Sequence, residues 1–361
     1  MTEPARRPPA SGVWFVTRKY PPQVGGMELL SFEITTRIAR RRSATILALR
    51  RGQAWLPWFV LASATRVALG AMRGSIAVLH LGDPVLAPVG ALARLFGVPV
   101  CVTVHGLDVT FGHPLYRLWL RLFFRRLDGY ICISEAARAA GIAAGVALER
   151  TVVIGIGIDV PAPAAPPSAR EKDLLLFVGR LVLRKGLRWF VEEVLPVLAA
   201  RRPGCRLAII GTGPEREAIE AAATRRGVAD RLLWLGAIGD DGKWEWLGRA
   251  SVCIVPNVAV PGDIEGYGIT ALEAAAAACP LVVADLEGLR DAIVDGEGGT
   301  VVPSGDAARW TETLATMLDA PDIARAAGER AQAWVRAARS WDAVCDRYEA
   351  VLDALAGSGR R

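Results

Sequence analysis

Apolar, β-branched runs of four to seven residues recur along the chain, and between them apolar positions return at helical spacing. The alternation predicts parallel βα units rather than a sandwich or a bundle. In the first half the predicted strands are Val13–Val16, Ala44–Leu49, Ile76–Leu81, Val98–Val104, Gly129–Ile133 and Thr151–Ile154, with helices such as Met27–Arg41 and Tyr116–Arg126 between them. "VPAPAAPPSAR", Val160–Arg170, is too rich in proline for a helix interior or a central strand and reads as a linker. Beyond it the pattern restarts, with strands predicted at Leu174–Val178, Arg206–Ile210, Leu232–Leu235, Val252–Val255 and Leu281–Ala284, and a last amphipathic helix at Ser340–Leu355. The prediction is an α/β protein of two doubly wound, Rossmann-like domains, residues 1–162 and 163–339, facing each other across a cleft. In such sheets ligands bind outside the carboxyl ends of the strands, so the loops that follow strands are the places to look for chemistry.

Composition narrows the class. With 361 residues, 52% hydrophobic and 22% charged, the chain has enough apolar material for two cores. No uninterrupted apolar stretch reaches the roughly 20 residues that cross a bilayer; the nearest, Ala54–Met72, contains Pro57 and Arg66. "MTEPARRPPASG" has no apolar run after its arginines, so no signal peptide is expected and the protein is expected in the cytoplasm. The six cysteines, among them Cys101, Cys132, Cys205 and Cys253 in apolar runs, show no metal-ligand spacing and read as buried free thiols. The formal charge of +6 is uneven: residues 1–160 hold 19 Lys+Arg against 9 Asp+Glu, the remainder 24 against 28. A nucleic-acid binder would explain the basic half, but no recognised nucleic-acid module accompanies it.

Five loops carry candidate chemistry. "RKYPPQVGGMELL" ends in Gly25-Gly26 and opens a helix, which suits either a tight turn or a backbone cradle for an anion. "GTGPER" has the first two glycines of a dinucleotide fingerprint and Arg216 in place of the third, which counts against a nicotinamide enzyme. Arg180 and Lys185 follow the Leu174–Val178 strand, either as solvated cations or as a clamp for a diphosphate leaving group; Arg184 is assigned to solvent. His105 follows the Val98–Val104 strand in a glycine-bearing loop and is either structural or part of the site, while His80 and His113 read as structural. Finally, "IEGYGITALEAAAAA" divides into a loop holding Glu265 and Gly266 and a helix that begins near Ile269 and holds Glu273. Backbone N–H groups of Tyr267, Gly268 and Ile269 stand at that helix start, and a carboxylate such as Glu273 can accept from two adjacent ribose hydroxyls.

Taken together these motifs resemble the retaining family 4 glycosyltransferases of GT-B fold, also described as glycosyl transferases group 1, over nearly the whole chain. Glu265 to Glu273 matches that family's Glu-x7-Glu signature, Gly179-Arg180 with Lys185-Gly186 its GR-x4-KG, Gly25-Gly26 its N-terminal glycine loop, and His105-Gly106 with Asp108 its H-G-x-D. The resemblance implies a nucleotide-diphosphate sugar donor, GDP-mannose or a UDP-sugar, and a glycan or lipid-linked acceptor. It gives Glu273 the ribose, Arg180 and Lys185 the diphosphate with Gly25-Gly26, and Glu265 with the Gly266–Ile269 backbone and His105 the transferred hexose. It implies no cofactor and no catalytic metal, and a final helix, about 340–356, crossing back onto the first domain. Two departures stand out: Gly155-Ile156-Gly157-Ile158-Asp159 replaces P-N-G-V-D, and "DLEGLRDAI" places Glu287 and Asp291 in a loop that is usually G-G-x-x-E. Another GT-B activity or a non-catalytic sugar-nucleotide binder is the alternative.

Arg117, Arg121 and Arg125 recur every four residues in "YRLWLRLFFRRLDGY", with Arg126 beside them, and Arg37, Arg40, Arg41 and Arg42 form a second basic cluster. Both are expected to favour peripheral attachment to an anionic membrane surface over a solvated arginine face.

Overall fold

The computed structural model describes residues 12–23, 25–160, 170–261, 263, 267–286 and 288–358. They belong to two compact units, Met1–Gly157 with Trp341–Arg361, and Ile158–Ser340. All but the first and last residues of the expected linker lie outside the described set.

In the first unit the apolar runs form β1 (Gly12–Thr17), β2 (Ala44–Ala48), β3 (Ile76–Leu81), β4 (Val100–Val104), β5 (Gly129–Cys132) and β6 (Thr151–Val153). They pair in parallel in the order β2-β1-β3-β4-β5-β6, so the direction of winding reverses between β1 and β3. The helices are α1 (Gly26–Arg41), α2 (Leu56–Met72), α3 (Ala87–Leu95), α4 (Leu107–Thr110), α5 (Pro114–Leu122) and α6 (Glu135–Ala143). Pro114 starts α5, where its missing N–H has no helical partner to lose, and Ser134 caps α6 by accepting from the Ala137 N–H. The helix expected at Tyr116–Arg126 therefore starts earlier and stops at Leu122, giving way to a 3-10 turn at Phe124–Arg126.

One expectation about length is corrected. Gln53–Met72 is helical for 20 residues at mean hydropathy 1.2, long and apolar enough to cross a membrane. Pro57 does not interrupt it, because it falls in the first turn. Ser63, Val67 and Gly70 bury one line of this helix, Gly70 directly against Trp14. The opposite face leaves Trp58 67%, Leu61 61% and Met72 61% exposed.

The second unit is built from β7 (Leu174–Val178), α7 (Leu187–Trp189), a π-helical turn at Phe190–Val194, α8 (Leu195–Arg201), β8 (Arg206–Ile210), α9 (Arg216–Arg225), β9 (Leu232–Gly236), α10 (Asp240–Arg249), β10 (Val252–Val255), α11 (Ile269–Ala276), β11 (Leu281–Asp285), α12 (Gly288–Ala292), β12 (Thr300–Pro303), α13 (Ala307–Asp319) and α14 (Pro321–Ala338). Its parallel sheet runs β12-β11-β10-β7-β8-β9, with the reversal between β7 and β10. β12 escaped the sequence pattern because it is a short edge strand that ends in proline, tolerable there since no further strand needs the N–H. Arg170 fixes the start of the unit by donating to the carbonyls of Leu247, Gly248, Ala250 and Ala278 at 2.7 to 3.1 Å.

The last helix, α15 (Trp341–Ser358), belongs to the first unit. Trp341, Val344, Cys345, Tyr348 and Leu352 are buried, and at about 1.5–3 kcal/mol for each large apolar side chain they dominate its attachment. Its outer face pairs with two residues of the second basic cluster, Arg41 and Arg42, while Arg40 stays exposed. Arg41 pairs with Asp342 at 2.7 Å, Asp346 at 2.6 Å and Glu349 at 3.1 Å, and Arg42 with Asp353 at 2.6 Å. Arg37 pairs with Glu33 at 2.7 Å. All six cysteines are buried free thiols, and burial pushes those of Cys132 and Cys205 up to about 12.

His80 is structural, as expected. Its Nε2 lies 2.9 Å from the Thr103 hydroxyl, and its ring stands edge-on to Phe15 and Tyr348. Burial, with a smaller push from His105, lowers its pKa to about 3. The unfolded chain takes up this proton near pH 6.5 and the folded chain only near 3, so stability is lost as pH falls through that window. We expect the unfolding free energy of the native protein to drop between pH 7 and 4.5 by about 2 kcal/mol more than that of His80→Asn. Calorimetric unfolding at the two pH values checks this; parallel declines would show that His80 does not set the acid limb.

Candidate functional site

At the carboxyl edge of the second sheet, the loops after β7, β8 and β10 are locked together by backbone. Gly179 N–H donates to Ile210 O and Leu181 N–H to Thr212 O, both at 2.9 Å, and Glu215 N–H donates to Leu181 O at 3.0 Å. Gly211, at φ 138°, lies so close to the Gly179 carbonyl that a β-carbon would collide with its oxygen. The glycines of "GTGPER" thus serve loop-on-loop packing, and Arg216, in the place of a third glycine, lies over the Trp234 ring at 4.6 Å.

Lys185 closes a tight turn that ends at Gly186, φ 66°, and a β-carbon on Gly186 would strike the Pro256 carbonyl just after β10. The loops after β7 and β10 therefore touch where the winding reverses, which is where ligands bind in doubly wound sheets. Lys185 is buried, whereas Arg180 is exposed and its guanidinium has no partner among the described residues. Arg184 is not in solvent as the sequence suggested. It donates to both carboxylate oxygens of Asp263, at 2.9 and 3.1 Å, and its carbonyl accepts from the Val258 N–H at 3.0 Å. Both bonds come from the one nitrogen Nη1, and the charged pair ties the two loops together.

Tyr267 is buried and Gly268, in left-handed backbone, caps α11 with no side-chain bond to its first turn. The amides at that helix start point their positive ends towards whatever approaches. Glu265 and Gly266 lie outside the described residues, as does Glu287. Glu273, one turn into α11, does not wait alone for a ligand. Its Oε1 accepts from Lys243 Nζ of α10 at 2.6 Å, and Lys243 also reaches Asp240 at 3.0 Å. Burial lowers the Lys243 pKa, but the bonds to Glu273 and Asp240 outweigh it and the net shift is upward. The sequence reading missed Lys243. A signal existed, since the chain has four lysines among its 43 Lys+Arg and two of them, Lys185 and Lys243, fall in this one site.

In the first unit His105 follows β4. Its N–H donates to both oxygens of Asp108, at 3.1 and 3.0 Å, and its Nε2 lies 3.1 Å from the Gly82 carbonyl. A carbonyl only accepts, so Nε2 carries a proton and donates to it. Burial raises the Asp108 pKa, an effect that His105 partly offsets. His113 is exposed at the start of α5, its ring 6.4 Å from that of Phe111. The glycine loop stands at the start of α1. Gly26 opens α1, but the buried Glu28 carboxylate sits against Gly25 and pairs with Lys19 at 3.2 Å, so the helix start already holds an acid. Among the described residues no group of His, Cys, Asp and Glu could hold a metal ion.

A buried lysine, an exposed arginine and a helix start therefore converge on one sheet edge, with a carboxylate on the same helix. That set suits a phosphate-bearing ligand that also offers hydroxyls. Two family descriptions match the chain, "Glycosyltransferase Family 4" over residues 13–161 and "Glycosyl transferases group 1" over residues 172–320. The phosphatidyl-myo-inositol mannosyltransferase of Mycolicibacterium smegmatis is 30% identical over 295 residues, 80% of this chain and 73% of that protein. The GDP-mannose-dependent alpha-(1-6)-phosphatidylinositol monomannoside mannosyltransferase of the same organism is 29% identical over 293 residues, 76% of this chain and 74% of that protein. Among solved structures, Anabaena Alr3699/HepE in complex with UDP superposes with a TM-score of 0.71 at 17% identity, covering 95% of this chain and 99% of that one.

The contact at Gly186 makes a direct test of this loop packing. Gly186→Ala should destabilise the protein by at least about 2 kcal/mol, from left-handed strain and the collision with Pro256. Gly112→Ala, where a β-carbon meets nothing within 4 Å, is the control. Urea unfolding compares the two, and equal midpoints would mean that the loops are not in contact.

Proposed function

Because the chain belongs to the family 4 glycosyltransferases, the glycosyl transferases group 1, we propose that it transfers a hexose from a nucleotide-diphosphate sugar to a hydroxyl of a glycan or lipid-linked acceptor, with retention at the anomeric carbon. The observation that carries this is the meeting of Lys185, Arg180 and the start of α11 at the point where the second sheet reverses. Lys185 and Arg180 take the diphosphate. Glu273 takes the ribose hydroxyls, and Lys243, bonded to one carboxylate oxygen, orients it while leaving lone pairs for them. Glu265, the amides at Gly266–Ile269 and His105 are assigned to the hexose. GDP-mannose is the favoured donor on the strength of the mannosyltransferase relatives, with UDP-sugars next.

In this mechanism the acceptor oxygen bonds to the anomeric carbon on the face from which the diphosphate leaves. The carbon–oxygen bond to phosphate breaks, and the departing phosphate oxygen takes the acceptor's proton. Negative charge grows on that oxygen in the transition state, so a fixed, desolvated cation beside it accelerates the step rather than merely binding substrate. We assign this role to Lys185, and its burial in the turn supports the assignment; the mechanism as proposed calls for no metal. The exposed apolar face of α2, with Arg66 and Arg73 beside it, supports a membrane-borne acceptor approached by peripheral attachment.

Thermal-shift screening against UDP-, GDP- and ADP-sugars, followed by turnover of whichever binds, tests the proposal; binding without any transfer would leave a sugar-nucleotide sensor. Lys185→Ala should lower kcat by about 100-fold or more with a small change in donor KM. A raised KM with kcat intact would reduce Lys185 to a binding group. Transfer should also proceed fully in excess chelator, and loss that Mg²⁺ or Mn²⁺ restores would refute the metal-free mechanism.

A further inference from the structure

The arginines of α5 do not lie on a flat face. Between α5 and α6 is a cavity of about 420 Å³ bordered by Arg117, Arg121, Arg125, Thr110 and the small residues Ala140 and Ala143 of α6. No carboxylate lines it. Arg117 and Arg121 are exposed on successive turns, and neither guanidinium bonds to a described residue. Arg125 lies past the end of α5 and is fixed separately, its Nε donating to the Ala144 carbonyl at 2.7 Å. Gly145, at φ 97°, makes room for it, since a β-carbon there would strike the guanidinium. The nearby acids are already engaged: Asp108 accepts from the His105 N–H, and Glu135 pairs with Arg138 at 2.5 Å.

Three like charges around one cavity repel unless an anion joins them, and guanidinium forks match phosphate oxygens. The volume is within the range of small-ligand sites, roughly 300–1,000 Å³. One turn to the side of Arg117 and Arg121, Leu115, Leu118 and Leu122 form an exposed apolar stripe with no described cover. A free phosphate would use only the arginines. A phosphate ester on a hydrocarbon chain would use both, with the chain along the leucines.

We propose that this cavity is a binding site for a phosphate ester and that its source is a lipid. The claim is independent of where the sugar nucleotide binds, since it uses none of the residues assigned to the donor.

The test is sedimentation with vesicles of phosphatidylcholine alone and of equal parts phosphatidylcholine and phosphatidylglycerol. The native protein should pellet with the mixed vesicles only, and inorganic pyrophosphate should compete. Arg117→Gln/Arg121→Gln should weaken partition by at least about tenfold. Arg309→Gln/Arg330→Gln, which removes the same charge from exposed sites on the second unit, should change it little. Equal losses in both double variants would replace the cavity with diffuse charge and overturn the proposal. So would pyrophosphate binding that depends on Arg117 and Arg121 without any lipid binding, which would make the source a soluble phosphate. Thermal stabilisation by the sugar nucleotide should persist in Arg117→Gln/Arg121→Gln, so failure at the cavity is separable from failure of the donor assignment.

Discussion

Backbone contact at the carboxyl edge of the second sheet is the constraint on which the candidate site rests. Gly211 against the Gly179 carbonyl and Gly186 against that of Pro256 leave no room for side chains, so the loops after β7, β8 and β10 hold one another in place. Lys185 is buried within this junction. The Arg184–Asp263 pair reinforces the same junction from outside. A cation held this way needs little reorganisation when charge develops beside it, which is what electrostatic catalysis demands.

The first unit depends on a different device. Its sheet is completed by a helix that arrives from the far end of the chain, and the buried face of α15 contributes far more than the surface ion pairs around Arg41 and Arg42, which at such exposure are worth about 0–1 kcal/mol each. Those pairs have another effect. They offset the charge of Arg41 and Arg42, whereas Arg117 and Arg121 of α5 face outward next to apolar surface.

Local pattern made the strands legible, because a parallel strand buried on both faces writes itself as a short apolar run, and it made the loop residues legible because they follow those runs directly. Arg180, Lys185, Gly268 and Glu273 became candidates that way, and the structure puts them in the loops and helix expected. What stayed hidden depends on contacts between distant positions. Lys243 is 30 residues from Glu273, and nothing in either neighbourhood names the other. Arg41 meets acids more than 300 residues later. Arg184 looked solvated because Asp263 approaches it from another loop. The edge strand β12 is too short and too proline-bound to show a period, and α2 looked interrupted because Pro57 was read as interior when it opens the helix.

Calorimetric titration of the native protein and Glu273→Gln with GDP, UDP and ADP tests the central claim most directly. One nucleoside diphosphate should bind, and Glu273→Gln should weaken it by at least about tenfold, the scale of hydrogen bonds to a charged group. Equal affinity in the two proteins, or no binding of any of the three, would contradict the assignment of the second unit as the donor site.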